Sequence, residues 1–244
     1  MAGSSDAIRR EQSGWGAPAS LRFYEEHRSR PADLYPSERF FLPDVLPRVS
    51  TCLDVGCAAG GFSGIMKSFN PRLRYTGVDI VPAFIEKARR LHPEDRFDVG
   101  DGVRFDTPPG SYDLVHLSGL LHLNSRHRDL LRSAYEQAKK YVLCDFRLTD
   151  GPPVTGTFRV AFGEAASDAP RLPYIVLNVS SLTEELRSLV PAPAAIRGKG
   201  YWHAPSGDAD VPLKEVLMAF FLIEKGTGAS APVVDLAFPP REGA

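Results

Sequence analysis

One segment, residues 51–62 with the sequence TCLDVGCAAGGF, constrains the fold of this chain more than any other. Its apolar residues Cys52, Leu53 and Val55 predict a short buried strand, and Phe62 begins a helical pattern. The loop between strand and helix contains only small residues, which allow a ligand to lie directly against the backbone. A strand, a tight turn and a helix in this order predict a binding loop in an α/β fold.

The charge of this loop indicates what kind of ligand it binds. From Gly56 the sequence reads Gly56-x-Ala58-x-x-Gly61, which departs from the dinucleotide fingerprint G-x-G-x-x-G at its middle glycine. Asp54 precedes Gly56 by two residues, and a carboxylate there repels a diphosphate but attracts an ammonium group. S-adenosylmethionine is such a ligand, because it has an adenosine, a sulfonium and an amino-acid end but no phosphate. An enzyme that binds NAD or another nucleotide is the less favoured alternative.

Residues 53–60, LDVGCAAG, resemble motif I of the class I S-adenosylmethionine-dependent methyltransferases, in which an acidic residue is followed by G-x-G-x-G. The chain departs from that motif at Ala58, a small residue that leaves room for the ligand. The resemblance implies S-adenosylmethionine as cofactor and S-adenosylhomocysteine as product. The cofactor-binding residues that it implies in and beside the loop are Asp54, Gly56, Cys57, Ala58, Gly60 and Phe62.

The resemblance also implies an architecture for residues 35–225. It is a single doubly wound α/β domain, with a mostly parallel seven-stranded sheet, helices on both faces and an antiparallel last strand. The regular alternation of strand and helix patterns up to residue 146 independently favours a parallel sheet. Two closing strand patterns, 194–203 and 216–224, have no helix between them and are expected to pair antiparallel.

Two further acidic residues lie at the ends of predicted strands. Asp79 closes the second strand 23 positions after the first glycine of the loop, near the roughly 20-residue offset at which a carboxylate reaches ribose hydroxyls in related nucleotide-binding folds. Asp101 follows the third strand between two glycines, and the resembled family contacts adenine from this segment. We therefore expect cofactor contacts from Asp79 and Ile80, and from Asp101 and Gly102.

The fourth predicted strand and the start of the next helix lie within residues 111–123. Ligand chemistry collects at the carboxyl ends of such strands, so Leu117 and Ser118 are expected beside the cofactor and the reacting centre. His122 and His116 are the candidate general bases, since histidine titrates near neutral pH. Two alternatives stay open: a local hydrogen bond for His116, and simple packing at the helix start for His122.

The organisation of the chain follows from composition. Residues 1–20 have few aliphatic side chains and are expected to be flexible, and residues 21–225 form one methyltransferase domain. Within that domain, residues 21–50 form an N-terminal cap and residues 147–175 form a lid-like insertion, because so long an irregular connection is unusual in a compact domain. Residues 226–244 are a C-terminal tail whose apolar side chains are expected to dock on a surface or a partner.

The cap and the insertion carry the candidates for selecting the acceptor. In the cap, Ser37 is predicted to begin a helix that Pro43 distorts or ends, and Tyr35 and Arg39 are candidates for cofactor or substrate contact. In the insertion, Arg147 and Arg159 suggest an acidic or carboxylate-bearing acceptor. A capping box at residues 181–184 predicts a further helix that runs through Leu189.

Charge and cysteine content narrow the function classes. The net charge of −1 and the pI near 6.6 disfavour a nucleic-acid partner. The three cysteines form no C-x-x-C pair, which predicts no metal site and favours a reduced, cytoplasmic protein. No apolar run is long enough to span a membrane.

The sequence therefore predicts an S-adenosylmethionine-dependent methyltransferase acting at the oxygen or nitrogen of a small molecule. The alternatives are an RNA or protein methyltransferase and a non-catalytic cofactor-binding protein. The acceptor, the methylated atom and the oligomeric state do not follow from the sequence.

Overall fold

The computed structural model describes residues 12–162, 168–227 and 230–241. The helices are α1 (Pro18–Glu26), α2 (Pro36–Val45), α3 (Gly61–Phe69), α4 (Pro82–Leu91), α5 (His127–Gln137) and α6 (Val179–Arg187), with 3₁₀ turns at Ser13–Gly16, Pro31–Asp33, Leu46–Arg48 and Leu121–Leu123. The strands are β1 (Thr51–Val55), β2 (Arg74–Asp79), β3 (Arg96–Val99), β4 (Tyr112–Leu117), β5 (Ala138–Thr149), β6 (Val154–Arg159), β7 (Arg171–Asn178), β8 (Ala195–His203), β9 (Ala209–Asp210), β10 (Val216–Glu224) and β11 (Val233–Ala237).

The main sheet has the strand order β11-β8-β10-β5-β4-β1-β2-β3. Strands β1 to β5 pair in parallel, whereas β10 pairs antiparallel with both β5 and β8. The order reverses between β1 and β4, and ligands bind at such a switch point in doubly wound sheets. The predicted fold class is confirmed, including the antiparallel pairing of the two closing strands.

Both faces of the sheet are covered by helices. Strand β1 shows why: Leu53 and Val55 belong to one apolar cluster, together with residues of α5 and α6, whereas Cys52 belongs to a second cluster with residues of α2, α3 and α4. Successive side chains of a strand point to opposite faces, so a strand that is buried throughout needs apolar residues on both. Among the described residues, no helix is both long and apolar enough to cross a membrane.

The strand count differs from the expected seven, because the described residues form eleven strands. The insertion at residues 147–175 contains the end of β5, the whole of β6 and the start of β7, and β6 pairs antiparallel with β7. Strand β7 also pairs in parallel with the end of β5. Hydrogen bonding between strands therefore orders about half of a segment whose glycines and prolines indicate an irregular lid.

The expected C-terminal tail contains the edge strand β11, which pairs in parallel with β8. Its exposure alternates along the strand, and Val234 and Leu236 pack against the main apolar cluster. The alternating pattern of Val233, Val234 and Leu236 is the signal of a half-buried strand. The apolar residues expected to dock on a surface thus dock on the sheet of the same chain.

The N-terminal segment also differs from expectation where the structure describes it. Residues 1–11 lie outside the described residues, but residues 12–20 are packed rather than loose. Trp15 is only 9% exposed, and its indole N–H donates to Gln12 Oε1 at 3.0 Å. One buried indole contributes enough apolar surface to hold a segment that is otherwise poor in aliphatic residues.

Helix α2 corrects one prediction about the cap and decides between two alternatives that another left open. The helix begins after Tyr35, whose backbone N–H donates to the Glu38 carboxylate at 2.8 Å, so Glu38 and not the buried Ser37 supplies the capping side chain. Pro43 lies inside α2 and does not end it.

Helix α6 begins earlier than the predicted capping box. Its N-cap is Asn178, whose side-chain oxygen accepts the backbone N–H of Ser181 at 3.0 Å. Ser181 therefore lies in the first turn of the helix, and α6 ends at Arg187 rather than at Leu189. Asn and Ser are both strong N-cap residues, so the sequence alone did not separate them.

Candidate active site

A pocket lies at the carboxyl ends of β1, β2, β4 and β5, at the switch point of the sheet. Most of the predicted cofactor residues line it: Tyr35, Asp54, Gly56, Cys57, Ala58, Phe62, Asp79, Ile80, Asp101, Gly102 and Ser118. The predicted residues that lie outside its wall are Arg39, Gly60, Leu117, His116 and His122. Asp54, Asp79 and Asp101 thus meet in one pocket, although they lie at the carboxyl ends of three different strands.

The turn after β1 has the backbone shape that its small residues predict. Gly56 and Gly60 have φ angles of 77° and 81°, in the left-handed region that favours glycine. Gly60 is the N-cap of α3, and a Cβ there would lie 3.0 Å from the Phe97 ring. Gly60 therefore shapes the turn and does not form part of the pocket wall. The N–H of Gly56 donates to Val78 O at 2.8 Å, which ties the turn to β2.

Asp79 ends β2 with both carboxylate oxygens held by backbone groups. The N–H of Ala58 donates to one oxygen and that of Val81 to the other, each at 2.9 Å. Burial raises the pKa of Asp79 to about 6, so the group is ionised at neutral pH. A buried carboxylate fixed in this way can accept hydrogen bonds from a vicinal diol, such as that of a ribose.

Asp54, at the end of β1, is held from two sides by side chains. The Tyr75 hydroxyl donates to one carboxylate oxygen, and His116 Nδ1 lies 2.7 Å from the other. An ionised carboxylate only accepts hydrogen bonds, so His116 carries its proton on Nδ1. His116 is fully buried, and its Nε2 has no partner among the described residues. His116 thus bonds across to Asp54 on the neighbouring strand, 62 positions away in the chain, and not to a group close to it in sequence.

Asp101 forms a turn beyond β3. Its Oδ1 accepts the backbone N–H groups of Val103 and Arg104 at 3.0 and 3.1 Å. Both bonds use the same oxygen, so Oδ2 can accept from a ligand in the pocket. The neighbouring Gly102 has a φ of 71°, and a Cβ on it would lie 2.5 Å from Val55, so glycine is required there.

An ion pair in the cap closes the pocket from above and was not predicted. The Arg28 guanidinium pairs with Glu38, whose side chain is fully buried, and donates to Asp33 O at 2.7 Å. Ser118 Oγ donates to Glu38 at 2.7 Å and so joins the end of β4 to the cap. The guanidinium lies 4.1 Å above the Tyr35 ring. The sequence contains only one sign of this arrangement, which is Glu38 three residues after Tyr35. An acid at that position indicates the capping of a helix and not a pocket.

Aromatic residues form the rest of the cover. Trp15, Phe23, Tyr24 and Phe84 all line the pocket. The Phe23 ring stacks on Phe162 with centroids 4.3 Å apart, and Tyr24 meets Phe84 edge to face at 5.7 Å. Of these four residues only Trp15 lies in residues 1–20, which composition indicated to be flexible, whereas Phe23 and Tyr24 belong to the predicted cap.

A second ion pair lies at the end of β5. Arg147 lines the pocket, and its Nη1 donates to Asp145 at 2.6 Å. The other oxygen of Asp145 accepts the backbone N–H of Gly119, also at 2.6 Å. His122 Nδ1 lies 3.9 Å from Asp145, too far for a hydrogen bond. Burial, followed by the charges of Arg147 and His203, holds the pKa of His122 well below its usual value, so the imidazole is neutral.

Three other candidates have environments away from the pocket. Arg159 on β6 pairs with Asp208 at 3.0 Å. Arg39 is exposed and donates to the carbonyl oxygens of Pro31 and Ala32 at 3.4 Å. Leu117 is fully buried in the main apolar cluster, on the face of the sheet that α5 and α6 cover.

Comparison with known families bears on this fold and site. Residues 53–141 match the family model described as "Methyltransferase domain". The matched segment runs from within β1 to the start of β5 and contains Asp54, Asp79 and Asp101. The class I resemblance read from motif I is thereby confirmed.

Individual relatives match parts of this chain. Trans-aconitate 2-methyltransferase of Enterobacter sp. (strain 638) is 35% identical over 47% of the chain and 43% of its own length. 2-methyl-6-phytyl-1,4-hydroquinone methyltransferase of Synechocystis sp. (strain ATCC 27184 / PCC 6803 / Kazusa) is 40% identical over 30% of the chain and 23% of its own length. The chain thus spans less than half the length of these curated relatives.

Among solved structures, the N-terminal domain of EvdMO1 in the presence of SAH and D-fucose superposes with a TM-score of 0.56. It is 15% identical, and the superposition covers 82% of this chain and 84% of that one. At this identity the similarity supports the fold alone. The Rossmann-like architecture is thus common to both.

Proposed function

We propose that this methyltransferase domain binds S-adenosylmethionine in the pocket and transfers its methyl group to an oxygen or nitrogen of a small molecule. The observation that carries the proposal is the meeting of three carboxylates in one pocket. Asp54, Asp79 and Asp101 follow three neighbouring strands, and the turn between β1 and α3 carries no bulky side chain. A ligand with an ammonium group, a ribose and an adenine fits this set.

Each carboxylate has a part in this proposal. Asp79 accepts hydrogen bonds from the ribose hydroxyls, and Asp101 accepts one from the exocyclic amine of adenine. Asp54 attracts the ammonium group of the methionine end, and His116 and Tyr75 keep its carboxylate in place. The sulfonium supplies the methyl group with a good leaving group, so the protein chiefly fixes the line of approach and excludes water.

His122 is the base that we propose for an acceptor that must lose a proton. It is neutral at physiological pH because burial and neighbouring cations lower its pKa, and its Nδ1 has no partner among the described residues. A neutral imidazole can accept a proton from a hydroxyl or ammonium group.

The size of the acceptor is inferred from two observations. Both curated relatives are named for small-molecule substrates, trans-aconitate and a substituted hydroquinone. The net charge of −1 gives no support to an RNA substrate.

Calorimetry tests the cofactor assignment. We expect S-adenosylmethionine and S-adenosylhomocysteine to bind and NAD not to bind. Asp79→Ala should weaken both adenosyl ligands by about 100-fold, since two hydrogen bonds to a charged group are lost at about 1.5 kcal/mol each. Asp98→Ala, which removes an exposed carboxylate on β3, is the matched control and should bind as the wild type does.

A second assay tests the transfer itself. The protein is incubated with S-adenosylmethionine and a panel of small acids, phenols and amines, and S-adenosylhomocysteine release is measured. Cofactor binding without release on any acceptor would favour the non-catalytic alternative. Binding of NAD alone would refute the proposal.

A further inference from the structure

The end of β5 carries a positive charge that the proposed cofactor contacts do not use. Arg147 is 8% exposed and lines the pocket. Asp79 ends β2, and strands β1 and β4 lie between β2 and β5 in the sheet. Three strand spacings of about 4.8 Å separate β2 from β5 by roughly 14 Å. Arg147 therefore lies at the opposite end of the pocket from the proposed ribose site.

The counter-charge of Arg147 is buried away from the pocket wall. Asp145 is 0% exposed and is not among the lining residues, and it accepts from both Arg147 and Gly119. A guanidinium has five N–H donors, and the bond to Asp145 uses one of them. The ion pair thus fixes a guanidinium that lines the pocket and still has N–H donors that Asp145 does not use.

Two histidines close to Arg147 add neutral polar groups. Burial and the charge of Arg147 lower the pKa values of both His122 and His203. His122 Nδ1 and His203 Nε2 are buried, and neither has a hydrogen-bond partner among the described residues. Buried polar atoms without partners are uncommon, and such atoms mark places where a ligand or water binds. Tyr174, whose hydroxyl interacts with Arg147, is also neutral because burial raises its pKa.

We propose that the acceptor carries a carboxylate and that Arg147 binds it. The inference rests on the proposed function for the reaction itself and adds the chemical class of the substrate. A planar carboxylate matches the two-pronged donor geometry of a guanidinium. This contact anchors the acceptor at the β5 end of the pocket, so that an oxygen or nitrogen of the same molecule faces the methyl group. A cationic acceptor would meet a like charge there.

The cap arginine does not offer the same site. Arg28 is also paired, but its guanidinium lies against the Tyr35 ring and donates to Asp33 O and Ser118 Oγ. Its donors are therefore largely used within the protein. Arg159 pairs with Asp208 outside the pocket, which makes it the matched control for Arg147.

The test measures carboxylate binding to the full chain saturated with S-adenosylhomocysteine. Calorimetry compares acetate, benzoate and trans-aconitate with the neutral amides acetamide and benzamide. We expect acetate and benzoate to bind at least about tenfold more tightly than their amides, a difference of about 1.4 kcal/mol or more. The amides keep the shape of the acids and lack only the charge.

Three variants assign that binding to Arg147. The double variant Asp145→Asn/Arg147→Gln removes both charges together, so that neither is left buried without its partner. It should lose carboxylate binding by about tenfold or more, and Arg159→Gln should bind as the wild type does. Arg147→Lys keeps the charge but loses the planar fork, and it should bind with an intermediate affinity. If the double variant does not fold, the Lys variant decides.

The outcomes separate this inference from the proposed function. S-adenosylhomocysteine binding to the wild type is measured first. If it does not bind, both the proposed function and this inference are overturned. If the cofactor product binds, the inference is overturned by equal carboxylate affinity in the wild type and the double variant. It is likewise overturned if none of the three acids binds at millimolar concentration, or if the amides bind as tightly as the acids.

Discussion

The floor of the pocket, residues 51–102, and its cover, residues 12–45, hold their polar groups by different means. In the floor, backbone N–H groups within 21 positions in the chain fix Asp79 and Asp101, whereas the side chains of Tyr75 and His116 hold Asp54. In the cover, Glu38 is fixed by the side chains of Arg28 and Ser118, and Ser118 lies 80 positions away. Backbone donors come with the fold, whereas side-chain partners depend on tertiary packing. The anchoring of Asp79 and Asp101 therefore comes with the fold, whereas the anchoring of Glu38 depends on its side-chain network with Arg28 and Ser118.

Breaking the network should have the largest effect on stability. Glu38→Ala leaves the Arg28 guanidinium, whose side chain is 13% exposed, without its carboxylate. We expect a loss of about 3–5 kcal/mol in the free energy of unfolding, because a buried charge loses its partner. Denaturant titration measures it. Arg28→Met with Glu38→Gln should cost less, since neither charge then remains.

An exposed ion pair is the control for that variant. Asp129, 45% exposed, pairs with Arg126 on the surface at 2.7 Å. Asp129→Ala should change stability by less than about 1 kcal/mol. Equal losses from Glu38→Ala and Asp129→Ala would show that the cover does not depend on the buried pair.

In the floor, the corresponding test is the pH dependence of the free energy of unfolding. The pKa of Asp79 is raised from 3.8 to about 6 in the folded protein. A raised carboxyl pKa means that the folded state binds the proton more tightly, so stability falls as pH rises between about 4 and 6. This group should contribute a fall of about 3 kcal/mol, from two pKa units at 1.36 kcal/mol each.

The variant Asp79→Asn isolates that contribution. Unfolding free energies are measured from pH 4 to pH 7 for the wild type and the variant without ligand. Their difference should change by about 3 kcal/mol across the window, because only the wild type titrates there. Parallel curves would contradict a buried, ionised Asp79. Cofactor affinity should show the opposite trend and rise with pH, since ribose binding needs the carboxylate.

The contact between cover and floor gives a smaller effect. A Cβ on Gly61, the first residue of α3, would lie 2.3 Å from the Arg28 carbonyl oxygen. Gly61→Ala should therefore displace the cover at a cost of about 1–3 kcal/mol and weaken S-adenosylhomocysteine binding. Gly64, in the same helix, has open space around it. Gly64→Ala should instead stabilise by about 0.5–1 kcal/mol, and similar effects from both variants would refute the contact.

The smallest effect tests the N-cap of α6, outside the pocket. Asn178→Ala removes the side-chain acceptor for the Ser181 N–H, together with the amide donor to the carbonyl oxygens of Asp150 and Gly151, and should cost at least about 1 kcal/mol in unfolding free energy. Ser181→Ala should change stability by less than about 0.5 kcal/mol, because its side chain does not cap α6. A larger loss of stability from Ser181→Ala than from Asn178→Ala would instead support the capping box predicted from the sequence.

The contrast between the floor and the cover also explains which parts of the structure could be predicted from the sequence. Residues of the floor signal their place locally, through strand ends, small residues and acidic residues at fixed spacing, and the fold class with its antiparallel closing strands was predicted from such patterns. The cover could not be predicted in this way. Glu38 shows only a helix-start pattern in sequence, and its partners Arg28 and Ser118 meet it through the tertiary fold.

The β5 end shows a second limit of sequence reasoning. Arg147 was a candidate because of its residue type, but so was Arg159, and only the fold separates them. Arg147 lies at a strand end in the pocket with Asp145 behind it, whereas Arg159 is paired with Asp208 on the hairpin side. Most of the cofactor residues predicted from motifs therefore line the pocket, whereas the proposed acceptor site depends on where β5 ends.

The central claim is tested most directly by a crystal structure of the protein with S-adenosylhomocysteine. We predict that the ribose hydroxyls lie within hydrogen-bond distance of Asp79, the adenine beside Asp101, and the ammonium group near Asp54. The end of the pocket at Arg147 should stay open to a second ligand. Density for the ligand outside this pocket, or a ribose turned away from Asp79, would contradict the account.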